Sequence, residues 1–167
     1  MKKFLSFLLI LIFLLTLWGC TKKDIDSANF YYIRKNFDYS SKDGVFVPQA
    51  TDSSKFITLN AFVSEYLRGP GSANMVSPFP SGTLLINLTK NGEILLVTLS
   101  DQFATLTGID LSLACCAFAK TAIEFTGVSV VEISTLSELL DGVKTITITA
   151  EDIILFDHVQ TPTLPKD

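Results

Sequence analysis

The sequence predicts an α+β fold, with a single domain built on a mixed sheet of about four or five strands and two helices on one face. Three observations support this prediction. A tight turn separates two apolar strands between residues 84 and 99, segments with apolar residues at three- and four-residue spacing flank this hairpin, and residues 144–149 alternate strictly. The 167 residues suffice for one domain with a proper core. The expected element order is strand, helix, hairpin, helix, strand, strand.

The first part of the domain is predicted to be a strand followed by a loop. Residues 30–33 read Phe-Tyr-Tyr-Ile, which gives them high β propensity. Residues 37–52 are rich in Ser, Asp, Gly and Pro, so they are expected to form a surface loop. Within that loop, residues 45–47 would add at most a short strand.

The first helix is expected at residues 54–67. Ser53 or Ser54 would cap its N-terminus, and Gly69 followed by Pro70 would end it. One face of this helix is apolar and should contact the core: Phe56, Leu59, Phe62, Val63, Tyr66 and Leu67.

The hairpin turn is predicted at Asn91-Gly92, because both residues tolerate the positive φ of a type I′ turn. This turn would place Lys90 opposite Glu93. Counting back from it puts six apolar side chains on one face: Leu84, Ile86, Leu88, Leu95, Val97 and Leu99. The other face is mixed and carries three apolar residues, Leu85, Ile94 and Leu96. A slip by one residue would bring the mixed face to the core, so the register is expected to be well defined.

A second helix is predicted at residues 111–125, ended by Gly127. Its apolar stripe comprises Leu111, Ala114, Cys115, Phe118, Ala122 and Phe125. Its exposed side is expected to carry Ser112, Lys120, Thr121 and Glu124.

Two strands are expected after this helix, at residues 128–133 and 144–149. In the second strand Ile146 and Ile148 point inward between outward threonines. Residues 151–159 are expected to pack back on the domain through apolar residues, and the chain is predicted to end in a tail at residues 158–167.

The N-terminus predicts export and membrane attachment. Lys2 and Lys3 precede an apolar run at residues 4–17, which matches the core of a signal peptide and is shorter than the ~20 residues of a membrane span. The run closes in a segment that resembles a bacterial lipobox, Leu17-Trp18-Gly19-Cys20. We therefore expect a lipoprotein signal peptide at residues 1–19 and lipid attachment at Cys20.

An uncleaved anchor is the alternative, because Trp18 departs from the usual lipobox and would suit the membrane interface. Both alternatives tether the domain to the extracytoplasmic face of the cell membrane. Residues 20–29 form a polar tether, of which residues 21–29 span at most about 30 Å. The predicted domain occupies residues 30–157.

The charge of the chain excludes one class of partner. The formal net charge is −4, and removal of Lys2 and Lys3 with a signal peptide would make the chain more acidic. An acidic domain is a poor partner for nucleic acid or an anionic lipid surface.

The cysteines do not predict a metal site or an internal disulfide. Cys115 and Cys116 are neighbours on the predicted second helix, where their side chains point about 100° apart. We interpret them as two small buried residues. The alternative is that one reaches the surface and forms an intermolecular disulfide outside the cell. No His, Cys or carboxylate group stands at the spacing of a zinc site, and no glycine-rich phosphate loop is present, so no metal or cofactor is expected.

Catalytic residues are not expected either. His158 is the sole histidine, it lies next to the predicted tail, and no Gly-x-Ser-x-Gly motif accompanies it. Ser100 and Asp101 follow the hairpin, where they are more simply interpreted as residues that cap the next turn. Asp101 and Asp110 would form a carboxylate pair only if the intervening loop folded back.

Three motifs lie in a fixed order in and around the hairpin: Leu67-Arg68-Gly69-Pro70, then Val76-Ser77-Pro78-Phe79-Pro80-Ser81-Gly82-Thr83, then Val97-Thr98-Leu99-Ser100-Asp101-Gln102-Phe103. Their order and spacing resemble the GerMN domain, a family of sporulation and spore-germination proteins of Gram-positive envelopes. The resemblance continues through residues 111–125 and 127–133, and covers about residues 54–149.

The resemblance implies a function in binding, without catalysis. It implies a lipid-anchored module that assembles with an envelope protein or with itself, in sporulation or spore germination. The alternative is a receptor-like module that binds a small molecule or a peptidoglycan fragment, and an enzyme is the third reading. An assembly module should expose an apolar face or a strand edge, whereas a receptor should show a concave pocket with convergent polar groups.

Overall fold

The computed structural model describes residues 27–37, 44–139 and 142–157, with side chains as far as residue 153. The strands in these residues are β1 (Ser27–Arg34), β2 (Phe46–Asp52), β3 (Met75–Val76), β4 (Leu85–Asn91), β5 (Ile94–Leu99), β6 (Val130–Thr135) and β7 (Thr145–Thr149). The helices are α1 (Leu59–Leu67), α2 (Gly108–Thr126) and α3 (Ala150–Asp157). Short 3-10 turns occur at Ser53–Lys55 and Phe103–Thr105. β1 thus begins inside the segment predicted as a tether.

The fold is α+β, as predicted, but its strands form two sheets instead of one. The first sheet has the order β2-β1-β3 and is antiparallel. The second has the order β4-β5-β6-β7 and is mixed, because β5 and β6 are parallel. The four-stranded sheet corresponds to the mixed sheet expected from sequence. The prediction was wrong about β1, because a strand's own sequence does not determine which sheet it joins.

β2 occupies a segment predicted as a loop. It pairs with β1 from Ser27–Asp52 to Ile33–Phe46. Pro48 was one reason for predicting a loop here. Proline is nevertheless tolerated on an edge strand, where its missing N–H faces away from the partner strand. Pro48 stands opposite Tyr31, whose backbone groups point away from β2 to other partners.

α2 lies between the two sheets. It connects the parallel strands β5 and β6, which require a crossover of this kind. It contacts β1 of one sheet and β6 and β7 of the other, so a second sheet, which the prediction did not include, also packs on this helix. Small residues on several sides of the helix permit this close packing: Ala114, Cys115, Cys116, Ala117, Ala119 and Ala122 are all buried. Gly127, in the left-handed conformation at φ 69°, ends the helix as predicted.

Thr121 corrects another prediction, since it was expected on the exposed side of α2 and is 2% exposed. Its Oγ1 accepts a hydrogen bond from the Tyr31 N–H at 3.0 Å, while the Tyr66 hydroxyl donates to the Tyr31 carbonyl oxygen at 2.5 Å. β3 pairs with β1 only at its end, at Ile33 and Arg34. Side chains of α1 and α2 therefore satisfy the backbone groups of Tyr31, which β3 does not reach.

α1 begins five residues later than predicted. Ser53 and Ser54 belong to the 3-10 turn capped by Asp52, and Thr58 caps α1 by accepting the Ala61 N–H at 3.2 Å. Between the two elements Phe56 is extended, and its ring packs near those of Phe30 and Phe62. The C-terminal end is as expected, with Gly69 at φ 96° directly after the Arg68 cap.

The hairpin register differs from the prediction by two residues. Asn91 pairs with Ile94, whereas the prediction paired Lys90 with Glu93. Gly92 has a φ of 59° and Asn91 has no positive φ, so the predicted type I′ turn at Asn91-Gly92 is wrong. A glycine at the first of two loop positions is typical of a type II′ turn. Because side chains alternate with period two, a shift of two keeps each residue on its predicted face.

A β-bulge near the start of β4 changes that face for two residues. Pairing shifts between Leu85 and Asn87, with Leu85 opposite Leu99 and Ile86 as the extra residue. Leu85 packs against the core, while Leu84 and Ile86 are 62% and 48% exposed. The predicted apolar face is therefore wrong for Leu84 and Ile86. It is right for the remaining members, Leu88, Leu95, Val97 and Leu99.

The C-terminal elements follow the prediction. β6 and β7 are antiparallel, and Ile148 is buried between exposed or half-buried threonines. α3 packs on α2 and β7, with Ile153 buried.

Candidate functional site

The cysteines of α2 are buried thiols. Cys115 and Cys116 are free and buried, which confirms the interpretation from sequence. Burial, assisted by the neighbouring Cys116, raises the pKa of the Cys115 thiol to about 12. Burial and the nearby Asp152 carboxylate raise the pKa of Cys116 to about 11. Since the thiolate is the nucleophile and the metal ligand, neither side chain is prepared for such chemistry.

Ser100 and Asp101 hold loops together. The Ser100 hydroxyl accepts the Leu84 N–H at 2.9 Å, and the Asp101 carboxylate accepts the Ser137 N–H at 2.9 Å. Asp110 is exposed in the first turn of α2. In the described residues, no three His, Cys, Asp or Glu side chains come close enough to hold a metal ion. Cys20 and His158 lie outside the described residues.

The four-stranded sheet leaves one face open. Residues that point away from α2 are exposed or half-buried, and we call this surface the outer sheet face: Asn87, Thr89, Ile94, Leu96, Thr98, Val130, Glu132, Ser134, Thr145 and Thr147. Three apolar residues, Ile94, Leu96 and Val130, lie side by side on β5 and β6. The sequence predicted apolar surface here, but it included Leu85, which the bulge turns inward.

β4 also leaves an open strand edge. It is the terminal strand of its sheet, and Asn91 and Ile94 flank the two-residue loop. Hydrogen-bonded pairs alternate along an antiparallel hairpin, so the backbone groups of Leu88 and Lys90 point away from β5. We call this side of the sheet the β4 edge. Ile86, at the bulge, adds an exposed apolar side chain to it.

A groove of about 620 Å³ lies at the N-terminal end of β4. Ser64, Leu67 and Arg68 line it from α1 and its C-cap, Leu84 and Leu85 line it from the entry to β4, and the segment 77–83 completes it. Among these described lining residues, Arg68 alone carries a charge.

Several polar groups of the groove are used by the fold itself. The Ser77 hydroxyl accepts the Phe79 N–H at 3.1 Å, and the Thr83 hydroxyl donates to the Pro80 carbonyl oxygen at 2.8 Å. Arg68 is different. Its side chain is 78% exposed and contacts Glu65 through Nε, at 3.4 Å from a carboxylate oxygen. An exposed pair of this kind contributes at most about 1 kcal/mol, so Arg68 can readily exchange it for another anion.

A second groove of about 590 Å³ lies on another side of the segment 77–80. Arg34, Lys35 and Asp110 line it together with apolar residues. Its charges have both signs, two cations and one carboxylate.

Within the described part of the chain, no helix has the length and apolar character needed to cross a membrane.

The family of the chain follows from its sequence match. A model of the family Germane, described as sporulation and spore germination, matches residues 29–141. The chain belongs to this family. The resemblance noted from the hairpin motifs is thereby confirmed. No curated protein sequence matches this Germane chain significantly.

Two solved structures are similar to the Germane domain described above. The first GerMN domain of the sporulation protein GerM from Bacillus subtilis has 16% sequence identity and a TM-score of 0.55, covering 75% of this chain and 98% of that domain. The tandem GerMN domains of the same protein give 17% identity and a TM-score of 0.55, covering 75% of this chain and 46% of that one. At these identities the similarity establishes the fold alone.

The three motifs noted in the sequence meet at the groove. Leu67 and Arg68 come from the first motif, and the segment 77–83 comes from the second. Gly82, from the second motif, approaches Gln102 of the third, since a Cβ built on Gly82 would lie 3.9 Å from the Gln102 side chain. Segments distant in sequence therefore build one surface.

Sequence reasoning missed two residues of this surface. It named Arg68 only within the first motif and gave it no role, because nothing local shows that this residue borders a groove. It placed Ile86 in the core, because an unpaired extra residue has no signature in an otherwise alternating strand.

Proposed function

We propose that this Germane-family chain is a lipid-anchored module on the extracytoplasmic face of the cell membrane, where it binds an envelope protein or a second copy of itself without catalysing a reaction. The family links the chain to sporulation and spore germination. We propose that its role lies in one of these processes.

The observation that carries the proposal is the open β4 edge beside the outer sheet face. Unpaired strand edges and uncovered apolar sheet surface are the usual means by which a β domain adds another chain. Leu84 and Ile86 increase the apolar surface at this edge, and both are largely exposed. A domain that functioned alone would gain nothing from exposing these side chains, since burying each would be favourable.

The state of the reactive side chains favours binding over catalysis. Ser100 and Asp101 are held in loop contacts, and the two cysteines are buried with raised pKa values. A nucleophile requires an adjacent base and an exposed position.

Anchoring at Cys20 is consistent with the position of β1. Six residues separate Cys20 from Ser27, the first residue of β1, and they span at most about 22 Å. The Asn29 side-chain amide donates a hydrogen bond to the Glu124 carboxylate at 2.6 Å, and the Lys90 ammonium donates one to the Thr126 carbonyl oxygen at 2.8 Å. The start of β1 and the hairpin turn therefore both lie near the C-terminal end of α2. The groove at the other end of β4 would then face away from the membrane.

The receptor-like alternative has one observation in its favour. The groove of about 620 Å³ falls within the range of small-molecule sites. Its Ser77 and Thr83 hydroxyls are engaged by neighbouring backbone, which leaves fewer convergent polar groups than such a site uses.

Site-specific crosslinking in the native envelope tests the proposal. Single cysteines at Thr89 and Thr147, both exposed, should each report on a partner near the outer sheet face. We expect capture of a defined protein or of a second copy, and loss of capture when Cys20→Ser abolishes palmitate labelling and anchoring. Absence of any protein adduct at both positions, together with binding of a peptidoglycan fragment in the groove, would favour the receptor.

A further inference from the structure

We propose that the β4 edge and the adjoining groove form one binding site for an extended, acidic segment of a partner protein. The segment adds as a strand beside β4 and places a carboxylate against Arg68. This inference rests on the proposed binding function and specifies the chemistry of the partner.

The backbone of β4 selects an extended segment. Leu88 and Lys90 direct their N–H and C=O groups to the side where no described strand pairs with β4. These groups can form ladder hydrogen bonds only with a chain in β conformation. The regular part of the edge, residues 87–91, is short because the bulge at Ile86 interrupts it. The bulge thus limits the added strand to about five residues and protects the edge from indiscriminate pairing.

The apolar side chains at the bulge favour a partner with alternating apolar residues. Leu84 and Ile86 are exposed at the point where the edge meets the groove. An extended segment that follows β4 would cover both side chains. Alternate residues of that segment would face the sheet, so β-branched or aromatic residues are expected at every second position.

The charges along this edge favour an acidic partner. The whole chain is acidic, with a formal net charge of −4, yet Arg68 places an exposed cation in the groove at one end of the β4 edge. Lys90, at the other end, already donates to the Thr126 carbonyl oxygen at 2.8 Å, so the charge preference rests on Arg68. The Arg68 guanidinium contacts Glu65 through Nε, and its terminal amino groups are suited to hold a carboxylate with two bonds. Glu93, in the turn, accepts a bond from Ser129 at 3.0 Å and is directed to the neighbouring strand.

Two other strand edges in the described residues differ from the β4 edge. The edge strand β7 carries mainly threonines, and the edge strand β2 contains Pro48. They serve as internal controls.

A random ten-residue peptide library tests the proposal, with the full chain in detergent micelles as the target. We expect the selected peptides to share an acidic residue next to about five residues that alternate in β-branched or aromatic side chains, without proline among them. Amide hydrogen exchange should show protection of Leu88 and Lys90 in the complex, and no change in β7.

Charge variants provide the decisive comparison. Arg68→Gln should weaken the selected peptides about tenfold, as expected for loss of a carboxylate contact. Glu65→Gln should strengthen binding about threefold, because it removes the competing carboxylate. Lys55→Gln is the matched control. Lys55 forms a similar exposed pair with Asp52, at 3.9 Å and three residues apart, so this variant changes the net charge equally and should bind like the parent.

Three results would overturn the inference: no selected peptides, peptides that bind equally to Arg68→Gln, or binding that leaves the Leu88 and Lys90 amides unprotected. Ile86→Asp should also weaken binding, whereas Thr147→Asp on the β7 edge should not. The peptide experiment uses the isolated chain and does not depend on the native envelope. Failure of crosslinking at Thr89 and Thr147 would contradict the assembly function while peptide binding still stood.

Discussion

Both strands of the hairpin were predicted to contribute apolar side chains to one core face, but these side chains occupy different environments. In β5, Leu95 and Leu99 are fully buried and Val97 is 1% exposed. At the start of β4, Leu84 and Ile86 are among the more exposed apolar residues described. The difference arises from the neighbours of each strand. β5 pairs with both β4 and β6, whereas β4 pairs on one side only and carries a bulge.

The alternation of apolar and polar residues along a strand predicts which side of the strand faces the core. The position of the strand in the sheet determines how completely the side chains on that side are buried. A central strand is covered along its whole length. An edge strand pairs on one side only, and in β4 the bulge also turns Leu84 and Ile86 away from the core.

The largest effect is expected for Val97→Asp in β5. The substitution would place a carboxylate in the core, where an unpaired charge costs about 4 kcal/mol or more, enough to unfold a domain of ordinary stability. Loss of the cooperative urea transition, followed by circular dichroism, would show it. A folded variant with an unchanged midpoint would mean that Val97 does not lie in the core.

Leu88→Asp in β4 should be clearly milder than Val97→Asp. Leu88 stands opposite Val97 but is only half-buried, so the introduced carboxylate keeps contact with water. We expect a loss of about 1–3 kcal/mol in the free energy of unfolding, measured by urea titration. The hairpin pattern alone would predict equal damage at both positions, and an equal loss would contradict the edge position of β4.

Deletion of Ile86 should be tolerated, because it removes the extra residue and lets Leu85 and Asn87 pair regularly with β5. A change below about 1 kcal/mol is expected. Deletion of Thr89, an exposed residue, is the control: it would move Leu88 to the outer sheet face and Asn87 toward the core. If the two deletions lower the thermal midpoint equally, the bulge has been placed wrongly.

Thr89→Asp should have the smallest effect, within about 0.5 kcal/mol, because Thr89 is exposed on the outer sheet face. Chemical denaturation of Thr89→Asp and of Leu88→Asp, whose side chain lies on the opposite face of β4, compares the two faces directly. Strong destabilisation by Thr89→Asp would indicate that another part of the chain covers this face.

The sequence by itself determined the local elements with their own signals. The alternation of residues 144–149 and the core face of β5 were predicted correctly, since side-chain periodicity is a property of a single strand. The ends of α1 and α2 at Gly69 and Gly127 were also predicted, because a helix stop depends on adjacent residues only. The family was suggested by three motifs in a fixed order, and the family match to residues 29–141 confirms it.

The tertiary structure decided what depends on neighbours distant in sequence. The division into two sheets, the burial of Thr121 against the Tyr31 backbone and the exposure of Ile86 at the bulge arise from how the elements pack, and no local pattern encodes them. The groove was unpredictable for the same reason. Arg68, the segment 77–83 and Leu84 meet only once α1 is placed beside β4, so the proposed site exists as a product of packing.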